Sequence, residues 1–241
     1  MTVVLITGGA NGIGAAVARH FAADGAHVVV ADIEEQAGAA LAEEIGGLFV
    51  RTDVTSEADN EAAVRAALSA FGGLDVVHLN AGTGGAGGLA DLNVDRYRRT
   101  LAVNVDGTVF GLRAAYPALR DTGGGAIVVT SSLAGISPAT FDPVYSATKH
   151  AIIGLVRSLA PACAEAGITL NAICPGFVET RMIAGIKPAL AEHGLAVASP
   201  AEIAAAVATI ASATGSGDAW MLQAGRAAER VQFPAVTLSQ A

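Results

Sequence analysis

Val3-Val-Leu-Ile6-Thr7-Gly-Gly-Ala-Asn-Gly-Ile-Gly14 runs from an apolar stretch, through a glycine-rich turn, into the helical pattern of Ala15 to Ala23. Strand, glycine turn and helix in that order are what a dinucleotide site needs. The turn lets the backbone approach a pyrophosphate, and the N–H groups opening the helix, aided by its dipole, stabilise the negative charge. The next apolar run, His27-Val-Val-Val-Ala-Asp32, ends in a carboxylate twenty residues after Gly12, where an acid can accept from adenosine ribose hydroxyls. Asp32 thus favours NAD over NADP, because a 2′-phosphate would face Asp32, Glu34 and Glu35 with no lysine or arginine nearby. A glycine-rich turn beside a solvated acidic loop is the plainer alternative.

Outward from this unit, short β-rich runs alternate with longer Ala-rich helical stretches, the pattern of a parallel sheet covered on both faces. Seven strands are predicted at 3–7, 27–32, 48–52, 75–80, 126–131, 169–174 and 219–223, with helices near 12–24, 35–44, 57–71, 95–119, 144–164 and 201–213. Neither repeats nor a linker long enough to divide domains appear, so the 241 residues read as one doubly wound α/β domain. Ligands in such sheets bind beyond the carboxyl ends of the strands, and Asp32, Asp53, Asn80, Ser132 and Pro175 fall at such ends.

Tyr145-Ser-Ala-Thr-Lys149 sets a phenol and an ammonium one helical turn apart, thirteen residues after Ser132. A phenol with an ordinary pKa near ~10 is a poor base at neutral pH, but a fixed cation beside it favours the phenolate. By itself the pair is also what chance puts on many helices.

Taken together, Thr7 to Gly14, Asn80-Ala-Gly82, Asn104, Ser132, Tyr145, Lys149 and Pro175-Gly176 resemble, in order, the marks of the short-chain dehydrogenase/reductase family, from Val3 to about Gly225. The resemblance implies a Rossmann-type fold and hydride transfer with a nicotinamide cofactor. Tyr145 would move the hydroxyl proton, and Lys149 would depress its pKa and bind the cofactor ribose. Ser132, rather than Ser131, would fix the substrate oxygen, and Asn104 would hold a water of a proton relay. On the cofactor, the implied contacts are Gly8, Asn11, Gly12, Ile13 and Gly14 at the pyrophosphate and Asp32 at the ribose. Asp53 and Val54 would meet the adenine, and Asn80, Ala81 and Gly82 would form the cleft floor. Tyr145, Lys149, Pro175, Gly176, Val178 and Thr180 would lie toward the nicotinamide. Asp53 has a second reading, as the cap of a turn before Thr55 and Ser56. Leu79 departs from a second asparagine common at that place, and the stretch after Gly225 lacks the family's usual ending.

Composition bounds the partners. Hydrophobic residues are 52% and charged residues 15%, which leaves few charges to cover the surface and predicts a homo-oligomer. A formal charge of −8 with no basic tail argues against nucleic acid, and Arg96-Tyr-Arg-Arg99 reads as a solvated or subunit-facing surface. The chain enters a strand within two residues of Met1 and has no apolar run of the ~18 residues that span a bilayer, so no membrane partner and a cytoplasmic location are expected. Cys163 and Cys174 read as reduced, buried thiols, and the five histidines show no metal-ligand spacing. The segment 181–200, which closes over substrate in the family, is mostly apolar, and with Leu133, Phe141, Val144 and Phe177 it suits an apolar alcohol or ketone. The alternatives are an NADP-dependent carbonyl reductase and a non-catalytic NAD-binding regulatory protein.

Overall fold

The protein is described by a computed structural model over residues 1–234. One eight-stranded sheet runs through it in the order β3-β2-β1-β4-β5-β6-β7-β8. The strands are β1 Val3–Thr7, β2 His27–Asp32, β3 Leu48–Arg51, β4 Val76–Leu79, β5 Gly125–Thr130, β6 Ile168–Pro175, β7 Ala219–Leu222 and β8 Glu229–Arg230. The first seven pair in parallel, as expected, and β8 pairs antiparallel with β7, which the sequence reading did not anticipate. Two charged residues carry no strand signal. What holds β8 is tertiary: the Arg230 guanidinium lies 4.8 Å from the Trp220 ring centroid and 3.2 Å from Asp218.

Side chains of a strand alternate between faces, so each strand here feeds two cores. Val3, Leu5, Val29 and Ala31 pack with Ile127 against helices α3 Glu57–Phe71, α5 Gly107–Asp121 and α6 Pro143–Glu165. Val4, Ile6, Val28 and Val30 face α1 Gly12–Ala23, α2 Glu35–Ile45 and α8 Pro200–Ala211. Among the described residues no helix is long and apolar enough to cross a membrane.

The single helix expected over 95–119 is broken. Helix α4 Val94–Leu101 passes through a π turn, Ala102–Asp106, into α5. The cause is a polar residue with a better partner than its own helix. Asn104, buried at the centre of the π turn, hydrogen-bonds Thr83 across the cleft, and Thr108 Oγ1 donates to the Asn104 carbonyl at 2.8 Å. The apolar 181–200 stretch forms a 3₁₀ turn Arg181–Ile183 and the short helix α7 Lys187–Glu192, tied back by a bridge between Val178 and Ala198. Seven of the last sixteen residues, 235–241, lie outside the described residues, so the atypical ending is described only to Pro234.

Ile127 is 1% exposed at the centre of the sheet. Ile127→Ala should lower the unfolding free energy by about 2–5 kcal/mol in urea titration. A midpoint equal to wild type would contradict a closely packed core at that position.

Candidate active site

The strand order reverses between β1 and β4, the point where a crevice opens beyond the carboxyl ends of the strands. Gly8 and Gly12 take positive φ values of 62° and 53°, which fold the turn back on itself. Gly14 sits so close to the turn that an added Cβ would lie 2.1 Å from the Gly8 carbonyl oxygen. Helix α1 begins at Gly12, and its N-cap residue, Asn11, makes no side-chain cap. The first-turn N–H groups, including those of Ile13 and Gly14, therefore have neither a helical partner nor a capping side chain. Uncapped donors behind a turn without side chains fit a pyrophosphate, so the residues present suit the dinucleotide that the motif implies.

Asn80 joins the crevice walls. Its Nδ2 donates to the carbonyls of Thr7 and Gly8, at 3.3 and 3.1 Å, and its N–H donates to Thr7 Oγ1 at 3.0 Å. Sequence reasoning missed what stands behind it. Thr130 Oγ1 donates to Asn80 Oδ1 at 3.2 Å and lies 2.9 Å from His78 Nε2. Because the Thr130 proton points at Asn80, His78 Nε2 must be the donor of that pair. His78 is fully buried, and desolvation pushes its pKa down to about 3, so it stays neutral. The signal available was a histidine inside an otherwise apolar strand.

Asp32 accepts from Ala10 N at 2.9 Å and from Glu34 N at 3.0 Å, so it also pins the glycine turn. Each carboxylate oxygen keeps capacity for a second donor. The expectation that no cation lies near this acidic loop is wrong. Arg181 bonds Glu34 at 3.2 Å, and Arg51 approaches Glu35 at 3.1 Å. Arg51 comes from the neighbouring strand, opposite Asp32 in register, and Arg181 from the turn after β6, so neither is near in sequence. Asn11 Nδ2 donates to the same Glu34 oxygen at 3.2 Å, and the Thr180 methyl lies 3.0 Å from where a Gly12 Cβ would be. Asp53 is a turn cap: its Oδ1 accepts from Thr55 Oγ1 at 2.8 Å and Thr55 N at 3.0 Å. Those bonds, the hydroxyl first, hold its pKa below the usual carboxylate value, with Arg99 and Arg51 assisting. Val54 is buried against Gly107.

The second cluster stands at the ends of β4 and β5. Asp142 caps α6 by accepting from Tyr145 N at 3.1 Å and, with its other oxygen, accepts from Gly85 N at 2.6 Å. Tyr145 and Lys149 are thereby set one turn apart, with Lys149 Nζ 5.6 Å from the phenol ring centroid. Ser132, extended, caps the 3₁₀ turn Leu133–Gly135 by accepting from Ala134 N at 3.1 Å. Ser131 is structural, donating to the Lys149 carbonyl at 2.9 Å. Asn104 accepts from Thr83 N and spends both Nδ2 hydrogens on Thr83 O and Thr148 Oγ1, which leaves its Oδ1 one free lone pair. Gly82 leaves a gap beside this group, since its Cβ would stand 3.5 Å from both Asn104 Oδ1 and Lys149 Nζ. Pro175 ends β6, and Gly176 N donates to the Leu222 carbonyl at 2.9 Å, fixing the turn that carries Val178 and Thr180.

Several influences act on the Tyr145 pKa. Burial raises it, Ser132 beside the phenol pulls it back, and Asp142 and Cys174 raise it further. The Lys149 ammonium donates to the Thr130 carbonyl at 2.8 Å, and burial lowers its own pKa to about 8 against a smaller opposing pull from Cys174. Burial likewise pushes the Cys174 thiol up to about 11, so neither cysteine is an activated nucleophile, Cys163 also being shifted upward. Among the described residues no group of three His, Cys, Asp or Glu side chains gathers as a metal site.

A family model described as short chain dehydrogenase matches residues 2–191. A trans-4-hydroxycyclohexanecarboxylate dehydrogenase of Sinomonas cyclohexanicum is 40% identical over 77% of this chain and 75% of its own. A 3-alpha-(or 20-beta)-hydroxysteroid dehydrogenase of Mycobacterium tuberculosis is 37% identical over 87% of this chain and 82% of its own. The crystal structure of a 3-ketoacyl-(acyl-carrier-protein) reductase from Brucella melitensis, complexed with NADH, superposes with a TM-score of 0.86 at 30% identity, covering 93% and 98% of the two chains.

Between the folded value of about 8 and the ordinary 10.5 of Lys149, the unfolded chain binds more protons, so unfolding free energy rises with pH across that window. The full effect is roughly 3 kcal/mol. Lys149→Met should flatten the rise when urea unfolding is compared at pH 7.5 and pH 9.5; equal slopes in the two proteins would refute a desolvated ammonium.

Proposed function

The chain belongs to the short-chain dehydrogenase family of oxidoreductases, and on that premise we propose that it is an NAD-linked enzyme interconverting an apolar alcohol and its ketone. The observation that carries this reading is the meeting of Ser132, Tyr145 and Lys149 beside Gly82, next to a glycine turn with uncapped helix donors. A bound nicotinamide supplies the carbon that takes or gives hydride. Tyr145 moves the hydroxyl proton, as base in oxidation and acid in reduction. Ser132, already close enough to lower the phenol pKa, donates to the substrate oxygen on which charge develops. Lys149, near half protonation at pH 8, is the group that must be charged for the phenolate to form, and its Thr130 bond holds it in place. Asn104 is a positioning residue: it fixes Thr83, and through it the strip next to the Tyr145 ring.

Substrate class rests on the cleft edges. Phe141, Met182, Ile186 and Leu195 are all at least 39% exposed, on the two segments flanking Tyr145 and Thr180. Large exposed apolar side chains beside the reacting residues suit a hydrophobic body around one reacting oxygen. The hydroxysteroid for which one relative is named agrees with that class, whereas the hydroxycyclohexanecarboxylate of another shares the ring alcohol but adds a carboxylate. Tyr145→Phe should reduce alcohol oxidation, followed as NADH absorbance at 340 nm, by roughly 10²–10⁴-fold while calorimetric NAD binding persists; turnover at the wild-type rate would overturn the role of the phenol.

NAD preference rests on Asp32 and Glu34, which set two carboxylates where a 2′-phosphate would lie. Arg181 is held by Glu34, so its charge is masked. Asp32→Ser with Glu34→Gln should raise the NADP to NAD efficiency ratio at least tenfold, about 1.4 kcal/mol, and adding Arg181→Gln should take most of that gain away. No change in the ratio for the first pair would show that these acids are not the selector.

A further inference from the structure

A cavity of about 320 Å³ lies beside the cleft, lined by Thr83, Gly84, Arg96, Arg99 and Thr100. Its floor is one face of α4, where Arg96, Arg99 and Thr100 stand at i, i+3 and i+4. Its wall is the Thr83–Gly84 strip, which Asn104 holds through both main-chain groups of Thr83.

Two features set this cavity apart. Among the described residues neither Arg96 nor Arg99 has a carboxylate within 4.0 Å, as is also true of Arg98, Arg157 and Arg226, but of these five it is Arg96 and Arg99 that line the cavity, Arg99 also lying within the field of Asp53. Arg96 donates from one Nη to the Gly85 carbonyl at 3.3 Å, which aims the guanidinium at the strip and leaves its remaining donors. The second feature is Thr100. It is 1% exposed, and its hydroxyl has no hydrogen-bond partner, in a setting where buried hydroxyls are almost always satisfied.

We propose that this cavity is a binding site for a small oxyanion-bearing metabolite, held by the Arg96 and Arg99 guanidiniums with the Thr83 hydroxyl as a further partner. Planar forks matched to paired oxygens are the chemistry of carboxylate and phosphate recognition. The volume is at the lower end of small-molecule sites, which suits a compact acid and excludes a polymer. Arg96-Tyr-Arg-Arg99, read from sequence as a solvated or subunit-facing surface, thus acquires a ligand.

Thermal unfolding of the full chain in graded succinate or inorganic phosphate, at ionic strength fixed with sodium chloride, tests the site by linkage. The melting temperature should rise with at least one anion, and the R96Q/R99Q variant should need at least tenfold more of it for the same rise, while R65Q behaves as wild type. A response to succinate alone marks a carboxylate ligand, and to phosphate alone a phosphate ligand. Arg99→Lys, which keeps the charge but loses the planar fork, should weaken the response severalfold and serves if the double variant does not fold. Absence of any rise, or the same rise in wild type and R96Q/R99Q, overturns the proposal. Neither turnover nor NAD enters the measurement, so its failure leaves the proposed activity standing.

Discussion

Asn80 bonding the carbonyls of Thr7 and Gly8 is the contact on which the cleft depends. It ties the ends of β1 and β4 together at the point where the strand order reverses and a crevice is unavoidable. On one side of that tie the glycine turn is held open toward solvent with its helix donors uncapped. On the other, Ala81 and Gly82 lead into the strip that passes Lys149, Asn104 and Tyr145. The tie is itself braced by Thr130 and a neutral, buried His78, so its hydrogen-bond directions do not change with pH in the working range.

The same burial that makes the framework rigid shapes the chemistry. Tyr145, Lys149 and Cys174 are all pushed toward their neutral forms by desolvation. For the thiol the result is inertness. For the phenol and the amine it is a poised pair, one harder to ionise and the other easier to deprotonate, separated by a single helical turn. Ser132 is the neighbour that opposes the shift of the phenol, which makes it more than an anchor for substrate.

Particular elements show how far residue patterns reach. Val3–Thr7 and His27–Asp32 match the strands read from their apolar runs, because parallel strands buried on both faces need uninterrupted Val and Ile. The 95–119 helix was legible as helix but not as interrupted, since the π turn answers to Thr83, a residue of another element. Strand β8 was invisible for a similar reason: Arg230 is a strand residue only because Trp220 and Asp218 receive it.

The sequence by itself determined the fold class, the glycine turn and the one-turn spacing of Tyr145 and Lys149, because each is written in neighbouring residues with a fixed local geometry. It also carried the family. The tertiary structure alone decided where charges meet: Arg181 on Glu34, Arg51 on Glu35, Lys149 on the Thr130 carbonyl rather than the phenol, and two unpaired arginines around a buried hydroxyl. Long flexible side chains reach partners distant in sequence, and the sign of a pKa shift depends on burial that no local pattern encodes.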